Sequence, residues 1–205
     1  MEYLIFDFDG VLGNTWNAVI HGIVASGREP DTESAIENAR RYASKRPFHS
    51  KELTLSDEKL AAEYEWIRSF GKIVHDHGFT LFDDLVQEIL KLEDAKIAVV
   101  SSGSQNYVLP ALQTTKLQPT HILAFEDHHS KEEKVALVCR DWGIPIEDVY
   151  YFTDTLADVY ELKDLIAPDK LIGVSWGYCA KEQLLTELPE NNILNTPQDL
   201  PSLFT

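Results

Sequence analysis

The chain has 205 residues, of which 44% are hydrophobic and 25% are charged, and its formal net charge is −16 at pH 7. This composition is typical of a folded globular protein and excludes a disordered or fibrous one. The acidic balance argues against nucleic acid and anionic membranes as partners, because both attract basic surfaces, but it allows a small anionic substrate in a cation-containing pocket.

Membrane and redox signals are weak in this sequence. The apolar runs are far shorter than the roughly 20 residues of a membrane span, and the N-terminus does not have the pattern of a cleavable leader. We therefore expect a cytoplasmic protein. The two cysteines, Cys139 and Cys179, follow no metal or redox spacing, and we expect them to be reduced structural thiols.

Short apolar runs alternate with helix-length segments along most of the chain. The first run, Tyr3 to Phe6, predicts a strand. From residue 81 onward we predict helices at 81–92, 105–113, 131–142, 156–163 and 181–188, and strands at 96–100, 121–125, 149–152 and 171–174. Strands separated by crossover helices imply a parallel sheet covered on both faces, which is an α/β fold with a Rossmann-like core.

The segment between the first strand and residue 81 has a purely helical pattern, with no convincing strand. Within it, Ser56 precedes two acidic residues, which is the pattern of a helix N-cap and its first turn. We therefore predict a helical cap domain at 14–78, inserted into a core domain formed by 1–13 and 79–205. Ligands of open parallel sheets bind outside the carboxyl ends of the strands, where such a cap can act as a lid.

Polar residues follow three of the predicted strands at their carboxyl ends. They are Asp7 and Asp9 after the first strand, Ser101 and Ser102 after 96–100, and Thr153, Asp154 and Asp158 after 149–152. Lys131 begins the helix before the last of these strands, and its ammonium group could reach the same edge. Because parallel strands end at one edge of the sheet, we expect these side chains to converge there.

Four segments resemble, in order and spacing, the four motifs of the haloacid dehalogenase superfamily of phosphotransferases. They are DFDGV, IAVVSS, SKEEKVALV and FTDTLADV, and the later segments LIGVSWGY and ILNTPQDLPSLF resemble the tail of phosphoglycolate phosphatase-like members. One short motif is weak evidence, whereas four in order are strong evidence. The resemblance implies a haloacid dehalogenase-like core with a cap, and phosphotransfer chemistry.

The two aspartates after the first strand suit the hydrolysis of a phosphomonoester. This reaction is very slow in water, so positioning and charge neutralisation must dominate its catalysis. A carboxylate nucleophile divides it into formation and hydrolysis of an aspartyl-phosphate. We predict that Asp7 is the nucleophile and that Asp9, two residues further along the same side, is the general acid and base. Gly10 permits the tight turn that follows.

A carboxylate facing an anionic phosphoryl group needs a cation between them. Mg²⁺ suits this role, because it binds one or two carboxylates together with substrate oxygen and water. Asp7 and Asp154 are the predicted side-chain ligands, and the resemblance adds the main-chain oxygen of Asp9. By the same analogy Asp158 orients the lysine or a metal-bound water, which completes the predicted metal-site residues.

Lys131 and Ser101 are predicted to bind the transferring phosphoryl group, Lys131 by its charge and Ser101 by a hydrogen bond. The predicted phosphate-binding residues are Gly10, Ser101, Ser102 and Lys131. Two alternatives stay open at this point. Ser102 could replace Ser101 or simply cap the next helix, and Lys134, one helical turn after Lys131, could replace it or be a solvated surface charge.

The resemblance favours a phosphatase, because haloacid dehalogenases lack an acid at the position of Asp9 and transport ATPases have threonine there. Sugar-phosphate mutases keep this acid and stay an alternative. So does a catalytically silent relative that binds phosphate or a partner. A closing helical cap excludes macromolecules, and we therefore expect a small phosphorylated metabolite as the substrate.

The most basic stretch of the predicted cap comprises Arg40, Arg41, Lys45, Arg46 and His49. A solvated helix face accounts for this cluster. The alternative is that one or two of its members contact a substrate anion.

Overall fold

The computed structural model describes residues 1–46 and 56–204. Its strands are β1 (Glu2–Phe6), β2 (Gly13–Asn14), β3 (Thr80–Leu81), β4 (Ala95–Val100), β5 (His121–Leu123), β6 (Tyr150–Thr153), β7 (Leu171–Val174) and β8 (Ile193–Leu194). Its α-helices are α1 (Trp16–Ala25), α2 (Thr32–Ala43), α3 (Asp57–His77), α4 (Asp83–Leu90), α5 (Gln105–Gln113), α6 (Lys131–Trp142), α7 (Leu156–Leu162) and α8 (Lys181–Leu184). Short 3₁₀ helices occur at Ile146–Asp148, Glu190–Asn192 and Pro197–Phe204.

Six strands form one parallel sheet in the order β5-β4-β1-β6-β7-β8. The central strand β1 pairs with β4 and β6, and Phe6 lies between Val99 and Phe152. Leu4, Ile5 and Phe6 are completely buried, as expected for a strand covered on both faces. The predicted α/β fold with a Rossmann-like core is therefore confirmed.

Alternate residues of β1 belong to two different hydrophobic clusters, because side chains of a strand point to opposite faces in turn. Ile5 shares one cluster with Val135 of α6 and Val159 of α7. Phe6 shares the other with Leu85 of α4 and Val108 of α5. Helices therefore cover both faces of the sheet, and the polar residues that follow the strands are concentrated at its carboxyl edge.

The chain between β1 and α4 differs from the sequence prediction at its two ends. There β2 and β3 form an antiparallel pair, in which Gly13 lies opposite Leu81 and Asn14 opposite Thr80. A helical pattern cannot reveal a pair of only two residues per strand. The pair joins the beginning and end of the segment that contains α1, α2 and α3, and residues 14–78 remain the proposed extent of the cap.

The structure differs from the sequence prediction at two further points, both near the C-terminus of the chain. Helix α8 stops at Leu184 instead of continuing to residue 188, because the amides of Thr186 and Glu187 bond to carbonyls three residues back, that of Thr186 to Gln183 at 3.1 Å. Such tightening is common where a helix ends. The sixth strand, β8, was not predicted, since two apolar residues give no recognisable pattern.

Helix α3 begins as predicted and packs closely on α5. The side chain of Ser56 accepts a hydrogen bond from the amide of Lys59 at 3.4 Å. Further along, the side-chain nitrogen Nδ2 of Asn106 donates to the carbonyl of Arg68 at 2.9 Å. A Cβ atom added to Gly71 would lie 2.3 Å from the Cβ of Ser104, so the helices can approach this closely only at a glycine.

The helices of residues 1–46 and 56–204 do not have the properties of membrane-spanning helices. None of them has both the length and the apolar character that crossing a bilayer requires.

Candidate active site

Side chains from separate parts of the chain meet at the carboxyl edge of the sheet. Asp7 follows β1, Lys131 begins α6 and Asp158 lies in the first turn of α7. The Nζ atom of Lys131 lies 2.7 Å from Oδ2 of Asp7 and 2.6 Å from Oδ2 of Asp158. After β4, the Oγ of Ser101 lies 3.4 Å from Oδ2 of Asp9. These predicted site residues therefore share one site.

Asp7 is buried and is held through both carboxylate oxygens. Its Oδ1 accepts a hydrogen bond from the amide of Phe8 at 2.7 Å, and its Oδ2 accepts one from Lys131. Its own amide donates to the carbonyl of Phe152 at 2.9 Å, which extends the pairing of β1. Burial raises the pKa of Asp7 well above its ordinary value, although the charge of Lys131 acts to lower it. A further cation nearby would favour the ionised carboxylate.

Lys131 is a buried ammonium group between two carboxylates, with only 2% of its surface exposed. Burial alone would lower the pKa of Lys131, but Asp158 and Asp7 together raise it well above its ordinary value. Asp158 is fixed in turn, because its Oδ2 also accepts from the hydroxyl of Thr153 at 2.8 Å and from that of Tyr151 at 3.3 Å. Lys131 is therefore a fixed positive charge beside Asp7.

Lys134 lies one turn further along α6 and has a different environment. Its Nζ donates to the carbonyl of Ser101 at 2.5 Å and to that of Ala124 at 3.2 Å. Burial, followed by the charge of Lys131, lowers the pKa of Lys134 to about 7. The idea that Lys134 is a solvated surface charge is therefore wrong, since it is completely buried and ties together the segments after β4 and β5.

Asp9 is surrounded by hydroxyl donors. Its Oδ1 accepts from the hydroxyl of Thr15 at 2.7 Å, and its Oδ2 accepts from Tyr107 at 2.8 Å and from Ser101 at 3.4 Å. Burial raises the pKa of Asp9, while the hydrogen bonds from Thr15 and Tyr107 act to lower it. A carboxyl with a raised pKa holds its proton more firmly than an ordinary one, which suits a general acid.

The two serines after β4 have separate positions. Ser101 is completely buried, and its Oγ also accepts a hydrogen bond from the amide of Gly103 at 2.8 Å. Ser102 lines the cavity in front of Asp7. The alternative that Ser102 caps the next helix is wrong, because Ser104 is the N-cap of α5 and accepts from the amide of Asn106 at 3.2 Å.

Asp154 lies in a space bounded by two glycines. A Cβ atom at Gly10 would lie within 1.8 Å of Oδ2 of Asp154, and one at Gly177 would lie 2.2 Å from its Cβ. Gly10 also has a φ of 73°, a conformation that glycine adopts without strain. Oδ2 of Asp154 accepts a hydrogen bond from the amide of Tyr178 at 2.6 Å. The carboxylate is therefore fixed in direction and close to the turn after Asp9.

Comparison with known families gives a match over most of the chain. The model of the haloacid dehalogenase-like hydrolases matches residues 4–163. The chain belongs to this family. The predicted family membership and hydrolase activity of the protein are therefore confirmed. A search of curated proteins found no sequence that matches the chain.

Solved structures with the same fold span nearly the whole of this haloacid dehalogenase-like hydrolase. A predicted phosphoglycolate phosphatase from Haemophilus somnus 129PT has 14% identity and a TM-score of 0.70, covering 100% of this chain and 98% of that one. A predicted phosphatase from Clostridium acetobutylicum has 18% identity and a TM-score of 0.70, covering 98% and 96%. An L-2-haloacid dehalogenase has 17% identity and a TM-score of 0.61, covering 100% of both chains. At these identities the likeness shows the fold alone.

The residues of this haloacid dehalogenase-like hydrolase fit a divalent cation at Asp154. Its Oδ1 is buried and has no hydrogen-bond partner among the described atoms, which is costly unless a cation or proton lies against it. Burial raises the pKa of Asp154 to about 7. Within the described residues no three His, Cys, Asp or Glu side chains form a metal cage. The ligands available at this site are therefore two carboxylates, together with main-chain, substrate and water oxygens. This ligand set suits Mg²⁺.

Asp154→Asn tests this fit without measuring activity. Because the folded pKa is raised from its ordinary value to about 7, the carboxyl makes the metal-free protein less stable as the pH rises from about 4 to about 7. We expect the variant to have a melting temperature about 5 °C higher than wild type at pH 8 without metal, and an equal one at pH 4. Mg²⁺ should raise the melting temperature of the wild type only. Equal Mg²⁺ shifts in both proteins would contradict a metal site at Asp154.

A cavity of about 180 Å³ extends from the carboxyl edge of the sheet to the helices of the proposed cap. Asp7, Asp9 and Lys131 line one end of it, and residues of α1, α2 and α3 line much of the rest, together with core residues such as Ser102 and Tyr107. Its volume suits a small molecule. A substrate in this cavity would lie against Asp7 and between the core and the proposed cap.

The basic cluster of the proposed cap does not line this cavity where the structure describes it. Arg40, Arg41, Lys45 and Arg46 are exposed, and they are absent from the cavity wall. Arg46 lies 3.2 Å from the carboxylate of Glu132. His49 lies outside the described residues. A solvated helix face accounts for Arg40 and Arg41, which lie in α2, whereas Lys45 and Arg46 follow the end of that helix.

Sequence reasoning missed several groups of the site. They are Thr15, Tyr107, Tyr178 and Glu161. The hydroxyl of Thr15 lies 2.7 Å from that of Tyr178, and Oε1 of Glu161 accepts from the amide of Lys131 at 2.9 Å. A search for polar residues after β7, and for a second acid one helical turn beyond Asp158, would have found Tyr178 and Glu161.

Proposed function

We propose that this hydrolase is a Mg²⁺-dependent phosphatase that cleaves a small phosphomonoester through an aspartyl-phosphate intermediate. The observation that carries the proposal is that two carboxyl groups with different surroundings follow the end of one strand. Asp7 contacts a buried ammonium group, whereas the carboxylate of Asp9 accepts hydrogen bonds from the hydroxyl groups of Thr15, Tyr107 and Ser101. One environment suits a nucleophile and the other suits a proton carrier.

In the first half of the reaction the carboxylate of Asp7 attacks phosphorus. A new oxygen–phosphorus bond forms, and the bond from phosphorus to the leaving-group oxygen breaks. Asp9 gives its proton to that oxygen, so that a neutral alcohol departs. Lys131 and Ser101 stand on either side of the aspartate pair, where they can bind the oxygens of the phosphoryl group.

In the second half a water molecule attacks the phosphorus of the aspartyl-phosphate. Asp9, now ionised, accepts the proton of this water, and the carboxylate of Asp7 is regenerated. The hydroxyl groups of Thr15 and Tyr107 hold Asp9 in place during both proton transfers. Asp158 keeps Lys131 in position, because its carboxylate lies 2.6 Å from the ammonium group.

Asp7 and Asp154, with the main-chain oxygen of Asp9, would hold Mg²⁺. When bound, the ion supplies positive charge that reduces the repulsion between Asp7 and the phosphoryl group. The unpartnered Oδ1 of Asp154 supports this assignment. Gly10 supports it indirectly, since a larger residue would displace the carboxylate of Asp154.

Asp9 favours a phosphatase over a dehalogenase. The fold does not distinguish them, because a dehalogenase and proteins named as phosphatases all resemble this chain. A halide leaving group needs no proton, whereas an alkoxide does, and Asp9 lies two residues after the proposed nucleophile to supply one. The phosphoglycolate phosphatase-like subgroup and the cytoplasmic location stay predictions.

Phosphate release from a panel of small phosphomonoesters, with Mg²⁺ or with EDTA, tests the proposal. We expect inorganic phosphate to appear only with the metal. Transfer of phosphate within a sugar phosphate, without release, would instead indicate a mutase. Binding of phosphate without turnover of any compound would indicate a silent relative and would contradict a phosphatase.

A further inference from the structure

The outer part of the active-site cavity has an apolar wall. Its lining from α1, α2 and α3 includes Val19, Ile23, Ala39, Trp66, Ile67 and Phe70. This wall is continuous with the end at Asp7 and Asp9, and so it faces whatever group is attached to the phosphate. In a small-molecule site, such a wall selects an apolar ligand surface.

The charged residues of the outer cavity neutralise each other. Among the described lining residues, Arg28 and Lys131 are the cations, and Lys131 already bridges Asp7 and Asp158. Nη1 of Arg28 lies 3.8 Å from Oε2 of Glu63, and its guanidinium group lies 4.1 Å above the ring of Trp66. A carboxylate on the substrate would therefore compete with Glu63 for the only cation on the outer wall of the described cavity.

A sugar would also be poorly accommodated by this wall. Each buried hydroxyl group needs a hydrogen-bond partner, and leaving it without one is costly. The polar side chains that α2 and α3 add to the cavity are Asn38, Tyr42 and Glu63. The amide nitrogen of Asn38 already donates to Oε1 of Glu29 at 2.6 Å, and the hydroxyl of Tyr42 is hydrogen-bonded with Ser102. Nε1 of Trp66 is the one buried donor of these lining side chains that has no partner among the described atoms. The wall therefore offers contact surface and at most one further hydrogen bond.

We propose that the substrate is a phosphomonoester of an uncharged, mainly hydrocarbon alcohol, such as an aryl or branched alkyl group of a few carbons. This inference rests on the proposed phosphatase function. The phosphate lies at Asp7 and Lys131, and the hydrocarbon group fills the space between α1 and α3. Ile67 and Val19 are then specificity-determining residues, because they contact the alcohol and not the reacting atoms.

Matched substrates test the preference. Benzyl phosphate, propyl phosphate, 2-hydroxyethyl phosphate and 2-phosphoglycolate all have a primary alkoxy leaving group and differ in its polarity. We expect kcat/KM for benzyl and propyl phosphate to exceed that for 2-phosphoglycolate at least tenfold, since a few apolar contacts are worth about 10–200-fold. An equal or higher value for 2-phosphoglycolate would overturn the inference while leaving the phosphatase proposal intact.

Binding gives a second readout that does not need turnover. Benzylphosphonate has an aryl ring where 3-phosphonopropionate has a carboxylate group. Calorimetry with Mg²⁺ present measures the affinity of the protein for each compound. We expect benzylphosphonate to bind at least tenfold more tightly. If no phosphomonoester is hydrolysed but this order holds, the phosphatase proposal fails and the apolar preference stands. Equal affinities would overturn the preference whatever the turnover.

Two variants identify the wall that carries the preference. Ile67→Ala should lower kcat/KM for benzyl phosphate about tenfold and leave that for methyl phosphate unchanged, because methyl phosphate does not reach α3. Val19→Thr keeps the side-chain shape, adds a hydroxyl group and should act in the same direction with less effect on folding. Leu185→Ala, at an exposed leucine outside the cavity, is the control. Equal losses on benzyl and methyl phosphate would contradict a specificity role.

Discussion

Replacing Asp7 with asparagine is expected to lower phosphate release at least 10⁴-fold, because an amide is not a nucleophile and removal of a covalent nucleophile has effects of this order. The variant should also fail to gain the mass of a phosphoryl group when it is quenched in acid during turnover. Phosphate release and intact-protein mass spectrometry together measure both effects. The change is nearly isosteric and leaves the hydrogen bond from Phe8 possible.

The matched control is Asp164→Asn, which makes the same chemical change at an exposed aspartate. We expect this variant to retain wild-type turnover. Undiminished turnover in Asp7→Asn would refute the nucleophile assignment. If Asp7→Asn gains the mass of a phosphoryl group as the wild type does, another group accepts the phosphate.

Lys131→Met is expected to lower kcat/KM about 10³-fold and to destabilise the fold by about 3–5 kcal/mol, which is typical when one partner of a buried ion pair is removed. Asp7 and Asp158 would then be buried carboxylates without the cation that now lies 2.7 Å and 2.6 Å from them. Denaturant unfolding measures the loss of stability. We expect a smaller loss at acidic pH, because Asp7, whose pKa is raised by burial, is then protonated and no longer needs the cation.

Lys134→Met is the matched control, because it removes a second buried lysine from the same helix. Lys134 bonds only to main-chain carbonyls in the contacts described above, and its pKa is lowered to about 7. We expect this variant to lose tenfold or less in kcat/KM. A severe loss in Lys134→Met together with full activity in Lys131→Met would show that the phosphate-binding lysine was assigned wrongly.

The sequence was sufficient to predict the sheet core and the meeting of its polar strand ends. Strands such as β1 and β7 are continuous apolar runs, and a parallel sheet requires their carboxyl ends to meet at one edge. Gly143, with a φ of 73°, ends α6 where the sequence predicted. These features depend on local pattern and on topology, which are both present in the sequence.

The groups around Asp9 were not predictable in the same way. Tyr107 reaches Asp9 from the first turn of α5, and Thr15 reaches it from the far side of the turn after Gly10. Both contacts depend on the packing of helices against strands, not on spacing within a motif. The apolar wall of the cavity depends on how α1, α2 and α3 pack together, and no local pattern specifies that arrangement.

The candidate site combines segments that are far apart along the chain, from Asp7 directly after the first strand to Tyr178 beyond β7, whose amide holds Asp154. No shorter stretch of the protein contains all of its parts. During synthesis on the ribosome, Asp7 emerges first and the backbone that orients Asp154 emerges more than a hundred residues later. We therefore expect a nascent chain to lack the complete site until its sheet is almost formed.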